Sequence, residues 1–542
     1  MLHKKLIALR KALGYEDVGG LCQGFSMRYI EAFLIGERAR FEERLSLIEQ
    51  TPPDVLAQSI QILKTKKGPL NSQESDLMEV LSFFDSMELF QNPHSHYVFD
   101  TESAISQQSI DVISKVASSQ KIQDLGGLYT VNSHPYALTI KEIETYVDKL
   151  WELLDNRELS VRSEAPIGLL LTDEYHAVAL IYDPSEGGFI FRDINQTTRV
   201  LYDSKDIAKH INIAMNNSTP RDQFIPFNAK VILPRNDNRC DLLSDKLAAF
   251  QKTHYPIGES FAKRQDKFVN LAFIAARDDH TAALEVLAEN KDDLNKPVKG
   301  GVTPAFIAAQ CCHTATLKLL AKNDADLNKA RDNGATPAFI AAHNGHAAAL
   351  EVLAQNKADL NKARDNGATP AFIAAAKGHA AALEVLAQNK ADLNKAGDDG
   401  ATPAFIAAQN GQLSVMKTLI KFDVDLQAPF LCSHAHLLEF ASTKSHEVTQ
   451  RAKNFLAGKT IDQIKVYPYD IAIIMGHTEL AWLISNHFSS KQPKSAHQEI
   501  GYKVSTNYAS FYNKSSTQNG PKQDGLPEKA TIMDNDKVTQ GF

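Results

Sequence analysis

Three residues in the first two hundred, Cys22, His176 and Asp193, are of the types that carry out nucleophilic acyl transfer when they meet in space. Cys22 stands in Gly20-Leu21-Cys22-Gln23-Gly24-Phe25-Ser26, at the start of a segment whose Phe25, Tyr29, Ile30, Phe33 and Leu34 fall on one helical face. The start of a helix presents unpaired backbone N–H groups and the positive dipole end, which favour negative charge, and the thiolate is the nucleophilic form of cysteine. His176 opens the apolar run HAVALIYDP, and Asp193 ends GGFIFRD 17 residues later. A hairpin between those runs sets the carboxylate against one ring nitrogen and leaves the other for the thiol. The roles are then nucleophile for Cys22, general base and later acid for His176, and orienting carboxylate for Asp193. Each residue also has a plain reading: a small buried hydrophobe, a satisfied core histidine, a turn residue.

The elements that must position them divide into two kinds. From Lys4 to about Leu154 the periods are mostly helical, with good segments near Gln23–Leu34, Glu37–Glu49, Asp54–Thr65, Gln73–Leu89 and Ile140–Leu154. Short apolar or alternating runs then predict strands at Ile167–Thr172, Tyr175–Tyr182, Gly188–Asp193 and Thr198–Tyr202, followed by a helix at Lys205–Met215 and a strand at Ala229–Leu233. Helices first and an antiparallel sheet second is the layout of papain-like cysteine hydrolases, in which the Cys begins the first buried helix and His and Asp follow on strands. The blocks GLCQGFS, HAVAL and RDIN resemble the Cys, His and Asp blocks of the YopT-type protease family over roughly residues 1–235, with Phe25 in place of a Leu and Ile194 in place of a Pro. The resemblance implies a Cys22–His176–Asp193 site. Papain-like enzymes commonly carry a Gln before the Cys to complete the oxyanion hole; none precedes Cys22, which leaves Asp17 or another side chain beside the Cys22 N–H. Deamidation and transglutamination use the same three residue types.

The other half of the chain repeats. TPAFIAA begins at Thr303, Thr336, Thr369 and Thr402, each 33 residues after the last, and NLAFIAA begins 33 residues earlier at Asn270. These units resemble the ankyrin consensus, with Thr-Pro at the helix start, Gly-His after the first helix and Ala-Asp-Leu-Asn before the hairpin. Tyr467-Pro468-Tyr469-Asp470-Ile471-Ala472 lies 65 residues after Thr402, near two periods, which predicts a degenerate unit between 430 and 466 with HLLEFA as its first helix, seven units in all. Two departures stand out. Phe306, Phe339, Phe372 and Phe405 replace the family's His, which predicts apolar stacking in place of an inter-repeat hydrogen-bond network. Lys291, Asp324, Lys357, Lys390 and Asp423 occupy the site after the second helix where a left-handed backbone suits Gly. Cys311-Cys312-His313 aligns with Asn344-Gly345-His346 and reads as repeat filler rather than a metal cluster.

The units beginning at Gly334 and Gly367 differ only at His343/Ala376, Asn344/Lys377, Arg364/Gly397 and Asn366/Asp399. These fall at first-helix ends and hairpin tips, where ankyrin arrays hold partners, and drift after duplication is the competing reading. The candidate partner surface is Arg331, Asp332, His343, Asn344, Arg364, Asp365, Lys377, Asp398 and Asp399.

At 542 residues, 43% hydrophobic and 23% charged, the chain is too long for one core. The expected domains are a papain-like α+β domain at 1–235, a connecting segment at 236–266 whose helix at Leu242–Lys252 packs on the first repeat, an all-α ankyrin solenoid at 267–488 and a disordered polar tail at 489–542. A net charge of −7 offers no broad basic face, so nucleic acid is not expected. No run of apolar residues is long enough to span a membrane. In MLHKKLIALRKALGYE, Arg10 and Lys11 interrupt the apolar run and predict an amphipathic helix instead of a signal peptide. Five cysteines without a metal-ligand spacing imply free thiols, no metal and no cofactor. A thiol-hydrolase domain followed by ankyrin repeats resembles the type IV secreted effectors of Legionella, which implies a monomer secreted into a host cell, host proteins as partners and host cytosol or nucleus as the place of action. The alternative is a non-catalytic ankyrin scaffold with a vestigial protease-like domain.

Overall fold

The computed structural model describes residues 2–15, 21–91, 110, 113–114, 120–173, 176–195, 199–215, 224–264, 270–459 and 463–491. Asp17, Tyr175, Thr198 and the tail from 492 onward lie outside the described residues. The chain forms two compact units, Met1–Asp398 and Asp399–Phe542.

In the first unit, helices α1 (Leu2–Ala12), α2 (Cys22–Leu34), α3 (Arg38–Gln50), α4 (Pro53–Lys64), α5 (Ser72–Gln91) and α6 (Gln120–Asp124) precede β1 (Leu128–Leu138), α7 (Ile140–Leu154) and α8 (Arg157–Arg162). Strands β2 (Ile167–Thr172), β3 (Ala177–Asp183), β4 (Gly188–Arg192) and β5 (Arg199–Leu201), helix α9 (Ser204–Met215) and β6 (Ile225–Pro234) complete the mixed region. The six strands form one antiparallel sheet in the order β1-β6-β2-β3-β4-β5. The expected order of helices followed by an antiparallel sheet is present, with one addition. β1 falls in the stretch expected to be mostly helical, because LYTVNSHPYAL is polar and interrupted by Pro135 and so carries no clear strand signal. It lies at the sheet edge, where a residue with no N–H to donate is tolerated.

The segment expected to link two domains is tied into the fold. α10 (Cys240–His254) packs on β1, where Gln251 is hydrogen-bonded to Asn132, and sets Phe250 against Tyr146 of α7, rather than packing on the first repeat as expected. Within the connecting segment, it is the short α11 (Glu259–Ala262) that meets the first repeat. Within the polar turn before α10, Arg239 is buried, pairs with Asp237 and donates to the carbonyls of Ser163, Ala165 and Pro166, so this turn closes the sheet instead of freeing the chain.

Four helix pairs follow in the first unit: α12 (Leu271–Arg277) with α13 (Thr281–Glu289), α14 (Pro304–Gln310) with α15 (Thr314–Lys322), α16 (Pro337–His343) with α17 (Ala347–Gln355), and α18 (Pro370–Lys377) with α19 (Ala380–Gln388). Thr303, Thr336 and Thr369 cap their helices by accepting from the N–H of Phe306, Phe339 and Phe372. Phe306 and Phe339 pack with Ala335 and Ala368 between repeats, as expected of the substituted core. The inter-repeat hydrogen bonds are nevertheless kept, on other residues. His313, His346 and His379 reach the carbonyls of Ala276, Gln310 and His343 in the preceding repeat, and Asn295, Asn328 and Asn361 accept from the N–H of Asp326, Asp359 and Asp392 in the next.

Lys291, Asp324, Lys357, Lys390 and Asp423 all have positive φ, between 55° and 63°. A side chain there crowds its own carbonyl, a cost Gly avoids. Lys357→Gly is therefore expected to stabilise the chain by about 0.5–1 kcal/mol, read as a higher urea midpoint; a lower midpoint would contradict the strain argument.

The second unit corrects the repeat count. α20 (Pro403–Gln409) and α21 (Leu413–Lys421) are followed by β7 (Phe430–Ser433), α22 (His434–Ser442), α23 (His446–Leu456), β8 (Gln463–Val466), α24 (Pro468–Met475) and α25 (Thr478–Lys491). α24 packs directly on α20, and α25 on α21. His477 Nε2 bonds the Gln409 carbonyl across 68 residues, the same contact that His346 makes with Gln310 across 36. The residues 430–466 are thus no seventh repeat. They are an insertion of about one repeat's length, a helical hairpin bracketed by the β7–β8 ladder, and the helical repeats described number six.

Candidate functional site

α2 is buried on almost every side, between α5 and the strands β2, β3 and β6. Two glycines permit this. A Cβ at Gly24 would lie 2.3 Å from the Met87 carbonyl oxygen, and one at Gly168 of β2 would lie 2.4 Å from Ile30 Cγ2. The helix therefore sinks to backbone contact with α5 on one side and with the sheet on the other. Its first residue, Cys22, stays half-exposed, while Leu21 just before it is fully buried and anchors the entry.

Two contacts lock this helix to the strands that carry the other residues. Ser26, one turn after Cys22, donates from Oγ to the Ala177 carbonyl at 3.2 Å, next to His176. Arg192, next to Asp193, lays its guanidinium over the rings of Phe25 and Tyr29, at 5.4 and 5.7 Å. Neither contact is legible in the sequence, since a serine one turn into a buried helix and an arginine at a strand end carry no signal of their partners.

His176 precedes β3, and the β3–β4 register Ala179↔Arg192, continued past the ladder, puts Asp193 on the same face and diagonally across from it. His176 Nε2 lies 2.8 Å from Asp193 Oδ1, and the Cys22 side chain hydrogen-bonds the same ring, which leaves Nδ1 for the sulfur. Asp193 is fully buried, and the same Oδ1 also accepts from the Asn195 N–H at 3.0 Å. The His176 side chain is 13% exposed. Burial pulls the His176 pKa down, but hydrogen bonds to Asp193 and Cys22 outweigh it and raise it to about 10, so the ring is protonated at neutral pH. The three residues singled out from sequence are thus brought together, in a row that runs from a reachable thiol through a charged ring to a buried carboxylate. Asp17, proposed as a second oxyanion donor, lies outside the described residues.

Asp173 and His176 are clamped to each other. Asp173 Oδ1 accepts from the His176 N–H at 2.7 Å, and the Asp173 N–H donates to the His176 carbonyl at 3.0 Å.

The remaining cysteines differ from Cys22. Burial pushes the thiols of Cys240 and Cys432 to about 11 and that of Cys311 to about 12, and it raises that of Cys312. Cys312 occupies a left-handed position like Gly345, and His313 bonds the Ala276 carbonyl, so this trio has the structural part expected of it. Among the described residues, no group of three or more His, Cys, Asp or Glu is set to hold a metal ion, and no helix is long and apolar enough to cross a membrane.

The candidate partner residues of the array divide by exposure. Asp332, Asp365, Asp398 and Asp399 are exposed, whereas His343 and Lys377 are half-buried. Arg331 and Arg364 lie over the Phe306 and Phe339 rings at 5.7 and 5.6 Å, covering the apolar seam. Asn344 is buried and donates to the Gln310 carbonyl, so its side chain is spent inside the stack rather than offered to a partner.

No curated protein matches the chain. A family model described as ankyrin repeats (3 copies) matches residues 271–364 and 339–429, and the C-terminal region of this chain therefore carries ankyrin repeats, a fold of protein–protein interaction.

Proposed function

We propose that the N-terminal region is a papain-like cysteine hydrolase of the YopT type, that the ankyrin repeats choose the protein it acts on, and that the whole is an effector delivered by type IV secretion into a host cell. The observation that carries the hydrolase reading is the row Cys22–His176–Asp193, with the ring held by Asp193 at 2.8 Å and hydrogen-bonded to the thiol side. In this reading the Cys22 sulfur attacks the acyl carbon of a peptide or side-chain amide as its thiolate, forming an S–C bond. His176 passes its proton to the departing nitrogen as the C–N bond breaks. Neutral His176 then takes a proton from water, whose oxygen attacks the thioester and frees Cys22. Asp193 keeps the ring aligned and offsets its charge. Release of ammonia in place of a cleaved chain, or attack by an amine in place of water, follows the same course. The effector role and host delivery rest on the likeness to the Legionella effectors.

Iodoacetamide at pH 7 is the direct test. Cys22 is expected to be alkylated at least about tenfold faster than Cys240, Cys311, Cys312 and Cys432, whose thiols burial holds protonated. Peptide mapping that finds Cys22 no faster than these four would remove the hydrolase reading and leave a non-catalytic ankyrin scaffold.

A further inference from the structure

We infer that Arg277, the last residue of the first repeat's α12, is a positioning residue for the candidate site: it braces Asp173, the residue that is hydrogen-bonded to the His176 backbone. The inference rests on the hydrolase reading above. Arg277 is 9% exposed and reaches across to the end of β2. Its Nη1 donates to the Asp173 carbonyl, and its Nη2 donates to Thr172 Oγ1 at 2.8 Å and to the Thr172 carbonyl at 3.4 Å. Asp173 is the residue that clamps His176 through its carboxylate, so the guanidinium holds the backbone of the residue that holds His176.

The guanidinium is itself held. Asp278 Oδ2 accepts from Arg277 Nε at 3.1 Å and from Nη2 at 2.5 Å, and Asp278 Oδ1 lies 3.2 Å from Lys230 Nζ on β6. His280 Nε2 lies within hydrogen-bond distance of Ser133 on β1 and Asn228 on β6. A planar fork with donors fixed on several sides can serve two carbonyls, a hydroxyl and a carboxylate at once, which no other side chain can do. Among the described residues, the charged and titratable groups around Asp173 and His176 are therefore Cys22, Asp193, Arg277, Asp278, Lys230, His280, Asp279 and Cys311. The repeat array thereby enters the construction of the site, rather than only carrying substrate towards it.

The test uses the full-length chain carrying Arg277→Met, Arg277→Lys or Lys230→Met. The readouts are the pH-dependent rate of Cys22 alkylation by iodoacetamide, the titration of the His176 ring by NMR and the melting temperature. Arg277→Met is expected to slow Cys22 alkylation about tenfold at neutral pH and to move the His176 titration down by about one unit or more. Arg277→Lys keeps a charge beside Asp278 and one donor to Asp173, and is expected to fall between Arg277→Met and the wild type. Lys230→Met loosens the same ion cluster while keeping the Arg277 bonds to Asp173, and should leave both readouts near wild type even where it lowers the melting temperature. Wild-type alkylation and titration in a folded Arg277→Met would overturn the inference, and so would equal losses in Lys230→Met. Should Arg277→Met fail to fold, Arg277→Lys decides alone, and unchanged readouts in it overturn the inference. If wild-type Cys22 proves unreactive the hydrolase reading falls, while the His176 titration still reports whether Arg277 braces Asp173.

Discussion

A Cys22→Ala variant is expected to lose at least about 10³-fold in turnover while losing no more than about 1 kcal/mol of stability. In the proposed reaction the sulfur is the atom that forms the covalent intermediate, and what remains without it is binding and whatever stabilisation the helix start offers. The small cost in stability follows from position, because Cys22 is half-exposed at the first turn of α2 while the packing of that helix rests on Phe25, Tyr29 and Ile30. Full activity in this variant, measured on any substrate that the wild type turns over, would end the nucleophile assignment. Asp193→Asn completes the argument through pH. Wild-type activity should fall as His176 loses its proton near pH 10. With the carboxylate gone, one of the two contacts that raise the ring's pKa is lost, so that fall moves to lower pH and the rate at neutral pH drops by about 10²–10⁴-fold. The same ring contributes to folding with a definite sign. Its folded pKa lies above the ordinary 6.5, so the stabilisation is fully present below 6.5 and is lost as pH rises through about 10.

Asp278→Ala is expected to destabilise the protein by about 3–5 kcal/mol, read as the shift of the first urea transition of the full chain. The side chain is fully buried between Lys230 and Arg277, and removing it leaves two buried cations without their counter-charge. A loss below about 1 kcal/mol would mean that water reaches the cluster. Acid acts on the same place. Burial alone would raise the Asp278 pKa, but Arg277 and Lys230 hold it well below the usual carboxylate range, so its stabilisation is present above the ordinary value of 3.8 and is lost only as pH falls through the depressed one. His280 and His134 act earlier. Burial lowers both from 6.5 to about 4, so the unfolded chain binds protons that the folded one refuses, and stability declines as pH drops from 6.5 to 4.

What was legible in the sequence follows from what each signal encodes. Helical periodicity and the repeated TPAFIAA located the longer helices but not the short α6, α8 and α11, whose four to six residues are too few to show a period, and the short apolar runs located β2 to β6. The order and flanking residues of Cys22, His176 and Asp193 were enough to single out the row. β1 was not legible because an edge strand has one ladder side to satisfy and tolerates polar residues and Pro135. The inserted hairpin was misread because a separation of 65 mimics two periods, although the stretch contains neither a Thr-Pro start nor a Gly-His turn. The joint between sheet and repeats was hidden for a different reason. Arg277 occupies the register of Gln310 and His343, at the first-helix end where a partner was expected to bind. In the first repeat that position is already taken, by the chain's own sheet. His280 likewise occupies the register of His313 and His346, but it turns to Ser133 and Asn228 where its counterparts find a preceding repeat. The sheet does the work of a capping repeat, which no periodicity can announce.

The insertion at 430–466 has a consequence for how this molecule tolerates change. Its two ends pair, Phe430 opposite Val466, so the chain leaves and re-enters the helical stack about one strand spacing, roughly 5 Å, apart. The neighbouring helices register a short turn, whatever hangs beyond it. Lengthening a closed loop costs little, about 0.6 kcal/mol per doubling, and the cost falls on the hairpin rather than on the contacts of α20 with α24. A foreign domain spliced beyond Ser433, with ends that meet as closely, should thus be carried as freight on a scaffold that does not feel its weight.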